Sequence, residues 1–459
     1  MSQSLLTAAT TDRMVAPMRW FARTYALAVL AHLAGNPAGW RGEAMGGSPW
    51  LTIVSALLGV LALVLLVRPT VRLLGAAAAL TVLSVWLELP VTGNHWLLMG
   101  FIAPAVLVAL TRPDPWPWLA VTGRWILLAF YSFAAFAKLN SGFLDPEVSC
   151  GVFYANQSLG SFGLPTIASD GPFAVLTVAG PVLTELSVPV LLAFTRTRRA
   201  GVLLAMVFHT VISIDLDQHF YDFTTVLMVL LYLFLPDETT ADLEDRATRP
   251  SRARTAALAF APFLVVSSLL PPMLWTAVVL KLLVFLVWVP LAAWLIVRTA
   301  GHGLGPSPKP MRLPGVGSAV LVLLVVANAL TPYLEVKTSI GFNMYANLVT
   351  VAGDTNHLVV QRTLHLSHVQ DDLLEVVEST DDGLALYVDE DYLVPERNLL
   401  DYLARHPGAT VVVRDGDSTR TLDGSDGVRM PIVVRKLLAF RAVDEQHPPR
   451  CQSQWFPAL

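Results

Sequence analysis

The chain has 459 residues, of which 54% are hydrophobic and only 14% charged, with a net charge of −4 and a mean hydropathy of +0.57. A soluble domain carries about a quarter of its residues as charges, so this composition excludes one and points to a polytopic membrane protein. A chain that is acidic overall also speaks against a nucleic-acid partner.

Apolar windows of membrane-spanning length fall near Trp20 to Leu33, Leu51 to Val67, Leu73 to Pro90, His95 to Leu110, Trp118 to Ala137, Phe173 to Phe194, Gly201 to Ile214, Thr224 to Leu235, Thr255 to Leu270, Leu274 to Val297 and Gly315 to Leu330. They predict an α-helical polytopic bundle of about 11 transmembrane helices over residues 1–332. The first window follows Arg13, Arg19 and Arg23, as a signal peptide would, but it carries Tyr25 and His32 and runs on without a small-residue cleavage site. It is read as a span.

Basic residues fall in alternate connections: Arg68 and Arg72, then Arg112, then Arg196, Arg198 and Arg199, then Arg246 to Arg254, then Arg298, Lys309 and Arg312. The positive-inside rule puts these and the N-terminus in the cytoplasm of a cell-membrane protein. The opposite connections then face outward, among them Arg41 with Glu43, Asn94-His95, the segment from Lys138 to Asp170, and the turn from Asp215 to Asp222. Two cytoplasmic stretches, the charged run Asp237 to Arg254 and the Gly/Pro-rich Gly301 to Gly315, read as plain linkers that pack no core.

Residues 333–459 hold 11 Lys+Arg against 19 Asp+Glu and form an acidic, water-soluble, extracytoplasmic domain. Short β-branched stretches, Leu358–Val360, Leu374–Val377, Leu384–Val388 and Thr410–Arg414, are separated by Asp-Gly turns and predict a small β-rich sandwich. One helix, Pro395 to Arg405, starts with Pro and Glu as a helix N-terminus should.

Lys138 ends a long apolar run and is followed by the turn Leu139-Asn140-Ser141-Gly142-Phe143. An ionisable group at this depth either snorkels as an anchor, pairs, or does chemistry. The predicted topology puts His95 and His209 at the same depth as Lys138, Glu185 near the middle of the sixth window, and Glu88 just inside the end of the third. Asp215 to His219 with Asp222 offers hard-metal ligands, yet an exposed acidic turn is the plainer account, and no metal site is assigned. The two cysteines, Cys150 and Cys451, both on the predicted outer side, form one disulfide or remain free thiols.

Phe136-Ala137-Lys138-Leu139-Asn140 with Phe143-Leu144, the earlier Asn94-His95, the later Phe208-His209, and Pro332-Tyr333-Leu334 with Phe342-Asn343-Met344-Tyr345 follow one another in an order and spacing that resembles the HTTM proteins, bacterial relatives of vitamin K-dependent gamma-carboxylase. The resemblance spans nearly the whole chain. It implies a membrane enzyme in which Lys138 takes a proton from a reduced naphthoquinone (menaquinone or vitamin K-like), His95 and His209 are its polar neighbours, and Tyr131 and Glu185 contact the cofactor. Oxygen then turns the quinol anion into a strong base that deprotonates an acceptor for oxidation or carboxylation. Ala137 stands where the carboxylase has a second lysine, and the tail is shorter than a carboxylase's substrate-binding region. These departures imply a peptide or small-molecule acceptor other than a propeptide-bearing glutamate protein. The contrasting expectation is a non-catalytic membrane protein whose outward domain binds a partner.

Overall fold

The computed structural model describes residues 14–36, 49–216, 220–269, 274–444 and 448–452. The turn at Arg41 and Glu43 and the stretch Asp217 to His219 lie outside the described residues. Helices α1 (Ala16–Gly35), α2 (Pro49–Val67), α3 (Val71–Glu88), α4 (Asn94–Leu110) and α5 (Pro115–Ala137) are followed by α6 (Cys150–Ser161), α7 (Pro172–Ala193), α8 (Arg198–Ile212), α9 (Phe220–Leu231), α10 (Asp237–Thr248), α11 (Arg252–Leu269), α12 (Leu274–Ala300) and α13 (Val316–Leu330). Among the described residues, α2, α3, α5 and α7 are long and apolar enough to cross a membrane. The other predicted windows also coincide with helices, but among the described residues length and apolarity mark four candidate crossings and not eleven.

The exposed faces agree with a lipid environment. Ile53, Leu57 and Val60 of α2 and Leu176, Leu183 and Val190 of α7 point outward, rows of large apolar groups that would be an aggregation liability in water. In contrast, α1 is buried nearly all round, packed among α2, α9, α10 and α11. Its buried polar groups are met from neighbouring helices, Arg23 by Glu244 and His32 by Glu88.

The charged run after Asp237 is no plain linker. It folds as α10, with Asp237 and Glu238 in its first turn and Arg246 in its last, the order that suits the helix dipole. Its Leu243 joins the main core, and its buried Glu244 accepts from Arg23 Nε at 2.8 Å and Arg19 Nε at 3.3 Å. Residues 301–315 carry no helix beyond the turn that closes α12, yet they are strapped down: buried Ser307 donates to the Phe234 carbonyl at 2.6 Å, and Arg198 Nη1 donates to the carbonyls of Ser307 and Lys309 at 2.9 and 2.7 Å. Buried carbonyls and carboxylates at this end of the bundle need donors, and these arginines supply them.

Beyond α13 the chain forms a two-stranded ladder, β1 (Thr350–Val351) with β2 (Asp354–Thr355), and one five-stranded antiparallel sheet of order β6-β5-β3-β4-β7. Its strands are β3 (Leu373–Ser379), β4 (Tyr392–Pro395), β5 (Thr410–Asp415), β6 (Ser418–Asp423) and β7 (Val443–Asp444). Alternation in β3 and β5 turns Leu374, Val376, Val411 and Val413 onto the face that α14 (Glu396–Arg405) covers with Leu399 and Leu403. The expected sandwich is therefore a single sheet backed by a helix. Two expected strands are absent. Asp381 accepts from Gly383 N at 2.8 Å and starts a 3-10 turn, Asp382–Leu384, that continues as the helix Ala385–Asp389. Leu358–Val360 is irregular because His357 Nδ1 accepts the amides of Val359 and Val360, at 3.1 and 3.0 Å, in place of a neighbouring strand.

This sheet region docks on the bundle end that carries Lys138. Asn140, fully buried, donates to the carbonyls of Ala137 and Ala346 at 2.7 and 2.5 Å and accepts from Phe143 N at 2.8 Å. Lys436 Nζ donates to the carbonyls of Trp86, Leu87 and Leu89 at the end of α3, at 2.9, 3.3 and 2.7 Å. Cys150 and Cys451 form a disulfide across the same junction, 301 residues apart in sequence.

Loop closure over so long a segment stabilises by about 5 kcal/mol in the chain-entropy model. Denatured, unreduced protein is expected to show no maleimide-reactive thiol, and Cys150→Ser to show one with a lowered unfolding temperature. Two reactive thiols in the wild type would contradict the bridge.

A second expectation concerns Lys337, whose Nζ donates to Asn328 Oδ1 at 2.6 Å and whose burial lowers its pKa from 10.5 to about 8. Between those values the unfolded chain binds the extra proton, so this lysine makes stability rise with pH across that window, by on the order of 3 kcal/mol over its full width. The measured difference between wild type and Lys337→Met in unfolding temperature should shift in favour of the wild type from pH 8 to pH 10. A pH-independent difference would contradict it.

Candidate functional site

Two polar clusters lie at the end of the bundle on which the sheet region docks. The first is built by α5, α7 and α8. Lys138 caps the C-terminus of α5, where a cation suits the helix dipole, and its Nζ lies 2.7 Å from Glu185 Oε2 and 3.4 Å from the Ala134 carbonyl. Both side chains of the ion pair are buried, and the carboxylate oxygen meets the ammonium off the direction of a hydrogen bond. Glu185 lies midway between Pro181 and Pro189 inside α7, and Pro189 removes the helical donor to the carbonyl of residue 185.

His209 belongs to the last turn of α8 and is buried, with its carbonyl accepting from Ser213 Oγ at 2.7 Å and Thr224 Oγ1 at 2.9 Å. Its ring has no such support. Among the described residues neither nitrogen finds a hydrogen-bond partner, and the same holds for the buried Tyr131 hydroxyl. The two rings are 5.7 Å apart. The Glu185 carboxylate is close enough to the Tyr131 phenol, and the Lys138 ammonium to the His209 ring, for each charge to act on its neighbour.

The second cluster is built by α1, α3, α4 and α9. His95, in the first turn of α4, places Nε2 2.9 Å from Asp222 Oδ2, while Asn36 Nδ2 donates to the same oxygen at 2.7 Å. His32 stacks on Trp96 at 3.7 Å and holds Nε2 3.2 Å from Glu88 Oε2, and Glu88 Oε1 accepts from Ser84 Oγ at 2.8 Å. Donor atoms of His32, His95 and Asp222 lie within 4.8 Å of one another, a set able to hold a metal ion. Phe223 stands between the clusters, its ring 5.1 Å from His209 and 6.0 Å from His95.

His95, expected as a polar neighbour of Lys138, has Asp222 as its ion-pair partner. The exposed acidic turn is also corrected, because Asp215 and Asp222 are both buried, Asp215 accepting from Ser158 Oγ at 2.8 Å. The sequence reading weighs Asp222 only as part of an acidic turn and leaves His32 out of the site, although a histidine and an aspartate at the ends of apolar runs carry the same signal as Lys138.

A cavity of about 450 Å³ opens between bundle and sheet region, lined by His95, Asp222, Phe223, Tyr345, Gln370 and Arg441 among others. A second, of about 690 Å³, lies beside Cys451, Tyr392 and Arg450. Lys138, Glu185, Tyr131 and His209 line neither. Around the first, Ile340, Phe342, Tyr345 and Asn347 hold left-handed backbone, with φ of 49, 59, 50 and 51°. Such residues cost of order 1–3 kcal/mol each and persist where surrounding contacts fix them. Here Asn94 Oδ1 accepts from Phe342 N at 2.8 Å, and Asn347 Oδ1 from Cys150 N at 2.9 Å.

No family model, curated protein or solved structure matches the chain.

The ion pair makes a testable claim on stability. Glu185→Leu leaves a buried ammonium without its counter-charge and is expected to lower stability by roughly 3–5 kcal/mol, whereas Lys138→Met with Glu185→Leu recovers most of the loss. Thermal unfolding of the single and double variants in detergent checks it; equal losses in both would contradict the pairing.

Proposed function

We propose that the chain is a multi-pass membrane enzyme that moves a proton at the Lys138 cluster, with a reduced naphthoquinone as cofactor, in the manner of the HTTM proteins it resembles. In this reading about eleven helices span the membrane, the N-terminus is cytoplasmic, and the sheet region lies outside. One observation carries the chemistry: beside a buried ammonium–carboxylate pair, both nitrogens of His209 and the hydroxyl of Tyr131 have no hydrogen-bond partner among the described residues. Buried polar atoms in native proteins are nearly always satisfied, so unpartnered ones call for a ligand or ordered water.

The residues fit a flat, dihydroxylated ring. Tyr131, Phe130, Phe208 and Phe223 supply aromatic faces near His209, and His209 with Tyr131 supplies free polar atoms for two hydroxyls. When bound, a reduced naphthoquinone supplies an acidic hydroxyl and, after oxidation by oxygen, a strong base. Lys138 takes the first proton. To act as a base its ammonium must first give up a proton, and Glu185 Oε2, 2.7 Å away, is placed to receive it. His209 and Tyr131 orient the ring, and His95, held by Asp222, faces the cavity where the acceptor enters.

A structural reading keeps one observation in its favour: the Lys138 cluster lines neither cavity, so the pair also suits a helix-end anchor inside a filled bundle. Lys138→Met separates the two, since methionine keeps the apolar stem and removes the amine. The variant is expected to insert and fold but lose quinol oxidation with a reduced naphthoquinone and oxygen, by at least the 10²-fold that a positioned base contributes. Wild-type turnover in Lys138→Met would overturn the assignment.

A further inference from the structure

We infer that the segment after the last bundle helix holds a zinc-class divalent cation between Glu335, His365, His368 and Asp371. This site is separate from both clusters above and does not depend on the function proposed for them. Glu335 lies just beyond α13, and the other three share one irregular stretch ahead of β3. The two segments run side by side, with Leu364 N donating to the Tyr333 carbonyl at 2.9 Å and Leu366 N to the Leu334 carbonyl at 3.2 Å.

Donor atoms of His365, His368 and Asp371 lie within 4.8 Å of one another. His365 Nε2 is 2.7 Å from Asp371 Oδ1 and 3.5 Å from Glu335 Oε2, and His368 Nδ1 is 2.8 Å from Asp371 Oδ2. Yet His365 Nε2 makes no hydrogen bond, because neither carboxylate oxygen meets it at a hydrogen-bonding angle. His368 Nδ1 is hydrogen-bonded to Asp371 Oδ2, a bond that a shared ion would replace, while His365 Nε2 and Glu335 Oε2 converge without bonding each other. Ligand atoms around a tetrahedral zinc sit roughly 3.3 Å apart, given bonds of about 2.0–2.1 Å; the Glu335–His365 spacing already fits, and Asp371, partly exposed, has room to withdraw.

Glu335 is the independent observation. Its side chain is fully buried, and Oε1 is satisfied by Gly353 N at 2.7 Å and by the Thr363 hydroxyl. Oε2 has no hydrogen-bond partner and is aimed at His365. A buried carboxylate oxygen left bare is costly, and a cation held by two imidazoles resolves it. Two imidazoles with carboxylates favour zinc-like ions over calcium or magnesium, which take all-oxygen shells. The ion would fasten the stretch ahead of β3 to the exit of α13, so that binding stabilises the junction of bundle and sheet region.

The test uses the full chain in detergent, stripped with chelator, dialysed and titrated with Zn²⁺ alone. Wild type is expected to bind one equivalent more than His368→Ala/Asp371→Asn, a pair of replacements at the exposed side of the site that should leave the metal-free unfolding temperature unchanged. Zn²⁺ should raise the wild-type unfolding temperature by several degrees more than that of the double variant, and Ca²⁺ should not. Glu335→Gln should weaken the extra equivalent at least ten-fold. Equal stoichiometry and equal thermal shifts in wild type and double variant would overturn the site and leave the cluster as histidine–carboxylate ion pairs only.

Discussion

A charge buried in an apolar bundle must be paired, and at the C-terminal end of α5 that requirement organises everything nearby. The Lys138 ammonium has Glu185 at 2.7 Å, and Glu185 reaches it from a continuous helix that carries two internal prolines. Removing either partner leaves an uncompensated ion, whereas keeping both buried costs desolvation that well-packed apolar residues would avoid. A pair of this kind is weak evidence for stability and stronger evidence for use. The unpartnered polar atoms of His209 and Tyr131 beside it point the same way.

The docked sheet region closes this end. Asn140 spends its amide on one carbonyl from α5 and one from the segment beyond α13, while the disulfide and Lys436 tie two further points. One consequence is the cavity containing His95 and Asp222, which neither bundle nor sheet forms by itself. Another is the left-handed backbone at Ile340, Phe342, Tyr345 and Asn347, fastened where the Asn94 side chain accepts from Phe342 N and the Asn347 side chain accepts from Cys150 N. The asparagines of the Asn94-His95 and Lys138-Leu139-Asn140 motifs act as staples.

Much of the helical part was legible because apolar windows of spanning length have few other ways to fold, and α14 announced itself through Pro395 and Glu396. The charged stretch of α10 was not, since its burial depends on Arg19 and Arg23, more than 200 positions away. Leu384–Val388 has strand composition, but the Asp381 side chain caps a turn there and decides the matter locally. In the site, Lys138, Glu185 and His209 each stood out as ionisable groups in apolar runs. Their grouping depends on how α5, α7 and α8 pack, and the diversion of His95 to Asp222 on how α4 meets α9; periodicity reports neither.

The central claim is that the Lys138 cluster holds a reduced or oxidised naphthoquinone. Organic extraction of protein purified in mild detergent, with mass-spectrometric quantification of quinones per chain, tests it most directly. The account predicts naphthoquinone near one per chain in the wild type and severalfold less in His209→Phe, which removes two polar atoms and keeps an aromatic ring. Quinone at the level of an unrelated membrane protein, or in equal amount in both proteins, would contradict it.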